Sequence, residues 1–172
     1  MRPMPIVCAL LAIATLACNR SSARPIQPKH SDVLIVLPNA RNITWTATYD
    51  GSVTYLLDVP YPALDATLPL THHFEAMGWQ ARPEDWLNPG DPVNQTWRSM
   101  IRSRNPNQRL HLWSTQWQNA SGDVVNCSVT YEHPTRGGEP DPPSATEPAT
   151  VEMIYFSADT VKRMQRAAAS FR

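Results

Sequence analysis

Ile43-Thr44-Trp45-Thr46-Ala47-Thr48-Tyr49-Asp50-Gly51-Ser52-Val53-Thr54-Tyr55-Leu56-Leu57-Asp58-Val59 is the stretch that decides the fold. Ile43, Trp45, Ala47 and Tyr49 alternate with threonines, and Val53, Tyr55, Leu57 and Val59 alternate beyond Asp50-Gly51. Side chains on a strand point to opposite faces in turn, so each half reads as a strand with one apolar face. A two-residue Asp50-Gly51 turn would put the two apolar sets on opposite faces. A three-residue loop, Tyr49-Asp50-Gly51, pairs Ala47 with Val53, Trp45 with Tyr55 and Ile43 with Leu57, and predicts a left-handed Gly51. Pro60-Tyr61-Pro62 ends the second strand, because proline has no ladder donor.

Outward from the hairpin, the apolar run Val33 to Leu37 predicts a covered strand upstream. Downstream, a helix is expected within Ala63 to Met77. Leu70, Phe74 and Met77 form its inward stripe, Gly78 stands at the left-handed exit, and Trp79 lies where it packs on Phe74. Pro69 predicts a kink or a start near Thr67. Gln80 to Val93 reads as an irregular excursion, and strand character resumes over Gln95 to Arg102.

A second hairpin, Leu110 to Gln118 and Val124 to Glu132, has a five-residue loop that sets Trp117 opposite Val125 and Trp113 opposite Val129. Trp45, Trp113, Trp117 and Cys127 then face the core. Residues 133–149, rich in proline, read as a disordered loop before a strand over Val151 to Phe156. The last helix, capped by Ser157 or Asp159, buries Val161, Met164, Ala168 and Phe171 and exposes Lys162, Arg163 and Arg166. The order predicts an α+β domain over residues 32–172. Its antiparallel sheet has about five to seven strands, with two helices covering one face.

The chain's other end sets its compartment. Met1 to Pro5 carries one positive charge, at Arg2, and Ile6 to Ala17 carries none. As a helix these residues reach about 18 Å, short of a hydrocarbon core of about 30 Å, so they suit an export signal over residues 1–17 and not a membrane span. Thr15-Leu16-Ala17-Cys18 resembles a lipobox, the cleavage site of bacterial lipoproteins, which implies a diacylglyceryl group on Cys18. Thr15 stands where a large aliphatic is usual, leaving open plain secretion, in which Cys18 could pair with Cys127. Asn19 after the cysteine implies the periplasmic side of the outer membrane over the inner membrane. Residues 18–31 read as the modified cysteine and a flexible tether. Without residues 1–17 the chain keeps 14 Lys/Arg against 15 Asp/Glu, a net charge near −1 and no footprint for nucleic acid.

Segments between Val53 and Trp117, namely Val53-Thr54-Tyr55, Pro60-Tyr61-Pro62, Met77-Gly78-Trp79, Glu84-Asp85-Trp86-Leu87-Asn88-Pro89 and His111-Leu112-Trp113, resemble those of small bacterial envelope lipoproteins of unknown function. That resemblance brings no activity with it. His72-His73, with His111 or Glu75, does not suit a metal, because helix neighbours point about 100° apart. No catalytic signature, phosphate loop or cofactor motif is found. Of six tryptophans, Trp79, Trp86 and Trp97 flank the excursion and are the candidate binding residues, suited to a glycan or an envelope protein. The sequence thus points to a membrane-anchored, non-catalytic binding or assembly module. The alternatives are an envelope hydrolase using Glu84, Asp85 or Asp91, or a secreted domain without lipid.

Overall fold

A computed structural model describes residues 30, 32–83, 97–102, 105–134 and 147–170. The expected export signal, Cys18, the expected tether up to residue 29, Trp86, the carboxylates Glu84, Asp85 and Asp91, and Phe171 all lie outside the described residues. Seven strands form one antiparallel sheet: β1 (Arg41–Thr46), β2 (Ser52–Leu57), β3 (Gln80–Ala81), β4 (Arg98–Arg102), β5 (Asn105–Gln118), β6 (Val124–Pro134) and β7 (Ala149–Phe156). The spatial order is β1-β2-β7-β6-β5-β3, and β4 also pairs with β5. Two helices, α1 (Leu64–Ala76) and α2 (Ala158–Ala169), complete an α+β domain. Among the described residues no helix is long and apolar enough to cross a membrane.

Register decides which face becomes the core. Val53, Tyr55 and Leu57 of β2 stand opposite Met153, Val151 and Ala149 of β7. Cys127 and Val129 of β6 stand opposite Met153 and Val151, and Thr115 and Trp113 of β5 continue the two rows. Paired residues share a face, so one continuous buried cluster spans four strands. The β5–β6 hairpin has the predicted pairs, Trp117 with Val125 and Trp113 with Val129. Asn119 closes its loop: its side-chain oxygen accepts from the Ser121 and Asp123 N–H groups at 3.0 and 2.9 Å.

Helix α1 covers this cluster with Ala66, Leu70 and Phe74. Its exit is a Schellman turn. Gly78, at φ +75°, donates to Glu75 O and Trp79 N–H donates to Phe74 O, both at 2.9 Å. Pro69 is tolerated in the helix interior without displacing its start from Leu64. It is exposed, so water can serve the carbonyl that the missing N–H leaves without a helical partner. Met77 departs from the predicted inward stripe and is exposed, since the chain leaves the helix at that residue.

Three further expectations are corrected. Val33 to Leu37 is covered but forms no strand; Val33 and Leu34 donate to His30 O, and His73 Nε2 donates to Val33 O at 3.1 Å. The first hairpin pairs Trp45 with Val53 and Thr46 with Ser52, two residues from the predicted register. Its loop is longer because β7 competes for it: Asp50 N–H donates to Tyr155 O and Tyr155 N–H to Gly51 O. Gly51 has the expected positive φ, +142°, and Tyr49 is left-handed as well at φ +57°. A shift of two keeps parity, so Trp45 still packs on the core, though only half-buried; an irregularity between Arg41 and Thr44 leaves Ile43 exposed.

The two helices do not share a face. Val161 and Met164 of α2 pack with Val124, Ile154 and Phe156, the residues of β6 and β7 that alternate with the main cluster. The predicted loop at 133–149 is also trimmed, because β6 runs to Pro134 and β7 begins at Ala149.

Cys127 is a free thiol inside the main cluster. Burial pushes the thiol well above its ordinary range, so the thiolate is suppressed. A thiol reagent such as dithionitrobenzoate should leave Cys127 unmodified in the native protein and react fully after denaturation. Rapid labelling of native Cys127 would contradict the packing described.

Candidate functional site

The middle of β5 and its end at Gln118 carry different chemistry. Around His111, in mid-strand, four rings meet. Tyr61 lies edge-on to Trp97, His111 and Tyr131, with centroids 5.0, 5.4 and 5.8 Å away, and Trp97 meets Tyr131 at 5.6 Å. The strand ladder builds the base, because His111 and Tyr131 are a cross-strand pair on the core face. Both are buried, whereas Tyr61 and Trp97 are half-buried and present surface. Burial, with a smaller contribution from Tyr61, pushes the Tyr131 hydroxyl up to about 12. It therefore stays protonated at neutral pH, and it donates to Val59 O at 2.7 Å. That bond fixes the segment after β2 and holds Tyr61 over the base.

Of the predicted binding residues, Trp97 joins this group and Trp79 does not. Trp79 is 6% exposed and sits edge-on to Phe74 at 5.8 Å. The Schellman turn that ends α1 aims it into the core, so its expected exposure is corrected. Tyr61 is the residue the sequence reading missed. In the sequence it stands only as part of a strand-ending Pro-Tyr-Pro, although an aromatic between two prolines is held in a restricted backbone and loses little freedom on contact.

Beyond the Gln118 end of β5, two loops converge on the start of α2. Ser157 is the N-cap, as one of the two predicted caps, and its side chain accepts from Thr160 N–H. Asp50 Oδ2 accepts from Ser157 N–H at 2.7 Å and from the Ser157 hydroxyl at 2.9 Å. Asp123 Oδ1 accepts from Ala158 N–H at 2.8 Å, and Asp123 Oδ2 from Asn119 Nδ2 at 2.9 Å.

Desolvation pushes the Asp50 carboxyl up, but the bonds from Ser157 and Thr160 and the Arg163 charge outweigh it and hold the group below the usual carboxylate range. Desolvation likewise opposes, and bonds from Asn119, Ala158 and Tyr155 with the His30 charge prevail, at Asp123. His30 stacks on Tyr155 with centroids 3.8 Å apart, which brings the entering chain to this end. These carboxylates already serve helix N–H groups, whose partial positive charge they complement. Their arrangement is that of a structural clamp.

Among the described residues no three His, Cys, Asp or Glu side chains gather as metal ligands. His72 is exposed, His73 is bound to Val33 O and His111 is buried in the aromatic base, so the three histidines do not converge. No family model, curated protein or solved structure matches the chain.

Proposed function

We propose that the protein is an envelope lipoprotein, anchored through lipid on Cys18, that acts as a non-catalytic binding or assembly module. The half-buried Tyr61–Trp97 pair on its fixed base carries this reading. Two rings held edge to face expose a π surface at low entropic cost, which suits the C–H face of a glycan ring or an apolar side chain of an envelope protein. The export signal and the cysteine that follows it supply the anchor, and the tether supplies reach.

The test uses the full chain in its host, with a photoreactive residue placed at Tyr61 in one variant and at Lys162 on α2 in another. Capture of a partner from position 61, its loss on Trp97→Ala, and none from position 162 are expected. Equal capture from both positions, or capture indifferent to Trp97→Ala, would reject the aromatic pair as the contact. Incorporation of labelled palmitate should vanish in Cys18→Ala; persistence of label would reject the anchor.

A further inference from the structure

We infer that the outer face of α2 is a docking surface for anionic lipid headgroups, with Lys162, Arg163 and Arg166 as the contact. This rests on the reading of Cys18 as a lipid anchor and adds a second point at which the domain meets the bilayer.

The charge of that face follows from helical spacing. At 3.6 residues per turn Lys162 and Arg166 stand about 40° apart, and Arg163 about 100° from Lys162, so one exposed face carries all three. Val161 and Met164 point the other way and pack with Val124, Ile154 and Phe156. The apolar residues of α2 are thus spent on the sheet. Beside the cations only the small Ala167 and Ala169 are exposed, and these let a flat surface come close. Lys162 and Arg166 are one turn apart, where like charges repel, so a negative surface relieves a strain that water leaves in place. Arg166 lies in the last turn and complements the helix dipole; Lys162, in mid-helix, has no such use. Arg163 is held to the helix by donating from Nη2 to Thr160 Oγ1 at 2.9 Å. Nearby acids do not cancel the face. Asp159, one turn earlier, offsets one of the three charges, while Asp50 and Asp123 serve the Ser157 and Ala158 N–H groups.

Position selects the partner. The start of α2 is bonded to Asp50, whose own N–H donates to Tyr155 O, and His30 stacks on Tyr155, so helix and entering chain share one pole. Along the axis Lys162 and Arg166 lie only about 6 and 12 Å from Ala158. His30 is twelve residues beyond Cys18, so even a fully extended chain keeps it within about 40 Å of the acyl group. The cationic face is therefore always near a bilayer. Headgroup charge reaches about 8 Å at physiological salt, which makes the attraction a contact effect to which each lysine or arginine adds. A protein partner is not held there by the chain, and the face offers no aromatic anchor for one.

The test uses the protein purified from its host and reconstituted with vesicles of phosphatidylcholine, alone or with about one third phosphatidylglycerol. A polarity-sensitive fluorophore is placed on Ala169→Cys, exposed one turn beyond Arg166, or on Glu75→Cys of α1 as the reference site. Cys127 is buried and stays unlabelled. A blue shift at position 169 is expected in the anionic vesicles, reversed by high salt, and absent both from neutral vesicles and from position 75. Lys162→Gln with Arg166→Gln should abolish the shift, with circular dichroism showing the fold intact. Lys162→Arg with Arg166→Lys should keep it. Equal shifts in neutral and anionic vesicles, or a shift that survives the glutamine pair, overturn the docking surface. Failure of the anchor reads differently, because the protein then does not float with neutral vesicles and the inference falls with it. Flotation without a shift at position 169 rejects the docking surface and leaves the anchor standing.

Discussion

Trp117→Ala should destabilise the protein by about 3–5 kcal/mol, the largest single loss expected in the domain. Trp117 is 1% exposed, pairs with Val125 across β5 and β6, and stacks on Phe74 at 5.3 Å with an interplanar angle of 14°. It therefore joins sheet to helix. Truncation removes that contact and opens a cavity under α1 that neighbours on a rigid ladder cannot fill. Trp117→Phe should cost much less. It keeps a ring against Phe74 and deletes an indole N–H that is buried without a partner. Denaturant unfolding of the two variants measures the contrast. Equal losses would mean that the stack does not hold α1 to the sheet.

The second large effect is expected at the start of α2. Asp50→Ala and Asp123→Ala each remove a carboxylate from backbone N–H groups there, at about 1–2 kcal/mol apiece. The wild type should also lose stability in acid, with a defined sign. Both carboxyls are held below their ordinary values in the folded state. Their contribution is therefore complete above the unfolded value near pH 3.9 and is lost as pH falls through the folded ones. A variant carrying both Asp50→Asn and Asp123→Asn should show a flatter fall in Tm with acidification, followed by circular dichroism. An unchanged slope would assign the acid sensitivity to other groups.

These two cases also mark how far the sequence could be read. Trp117 was legible as a core residue because alternation in β5 and β6 and the length of the Asn119–Asp123 loop fix the register locally. The exit of α1 was equally legible, since Gly78 and Trp79 suit one turn geometry. The first hairpin lies two residues from the register its own sequence predicts because Asp50 and Gly51 bond to Tyr155, more than 100 residues away, and a local turn rule cannot weigh a distant strand. Asp50 and Asp123 looked like turn residues for the same reason; the helix they cap lies 107 and 35 residues further on.

The side taken by α2 was half-visible. Val161 and Met164 announce an apolar stripe but not its target, and Ile154 and Phe156, alternating with Met153 and Tyr155, show that β7 is apolar on both faces. At the aromatic site, Trp97 was accessible to sequence reasoning because large rings beside irregular segments attract attention. Tyr61 was not, because its partners His111 and Tyr131 are brought to it only by the sheet.

His30 on Tyr155 fixes where the polypeptide joins the domain, and Tyr155 stands opposite Val125 at one end of β6. The Tyr61–Trp97 rings rest on Tyr131, six residues along that strand, at about 3.4 Å per residue a separation near 20 Å. A molecule moored by its leading segment would therefore carry its aromatic surface at the far pole. The sheet would act as a spacer, turning contact towards whatever lies across the gap and away from the point where the polypeptide enters.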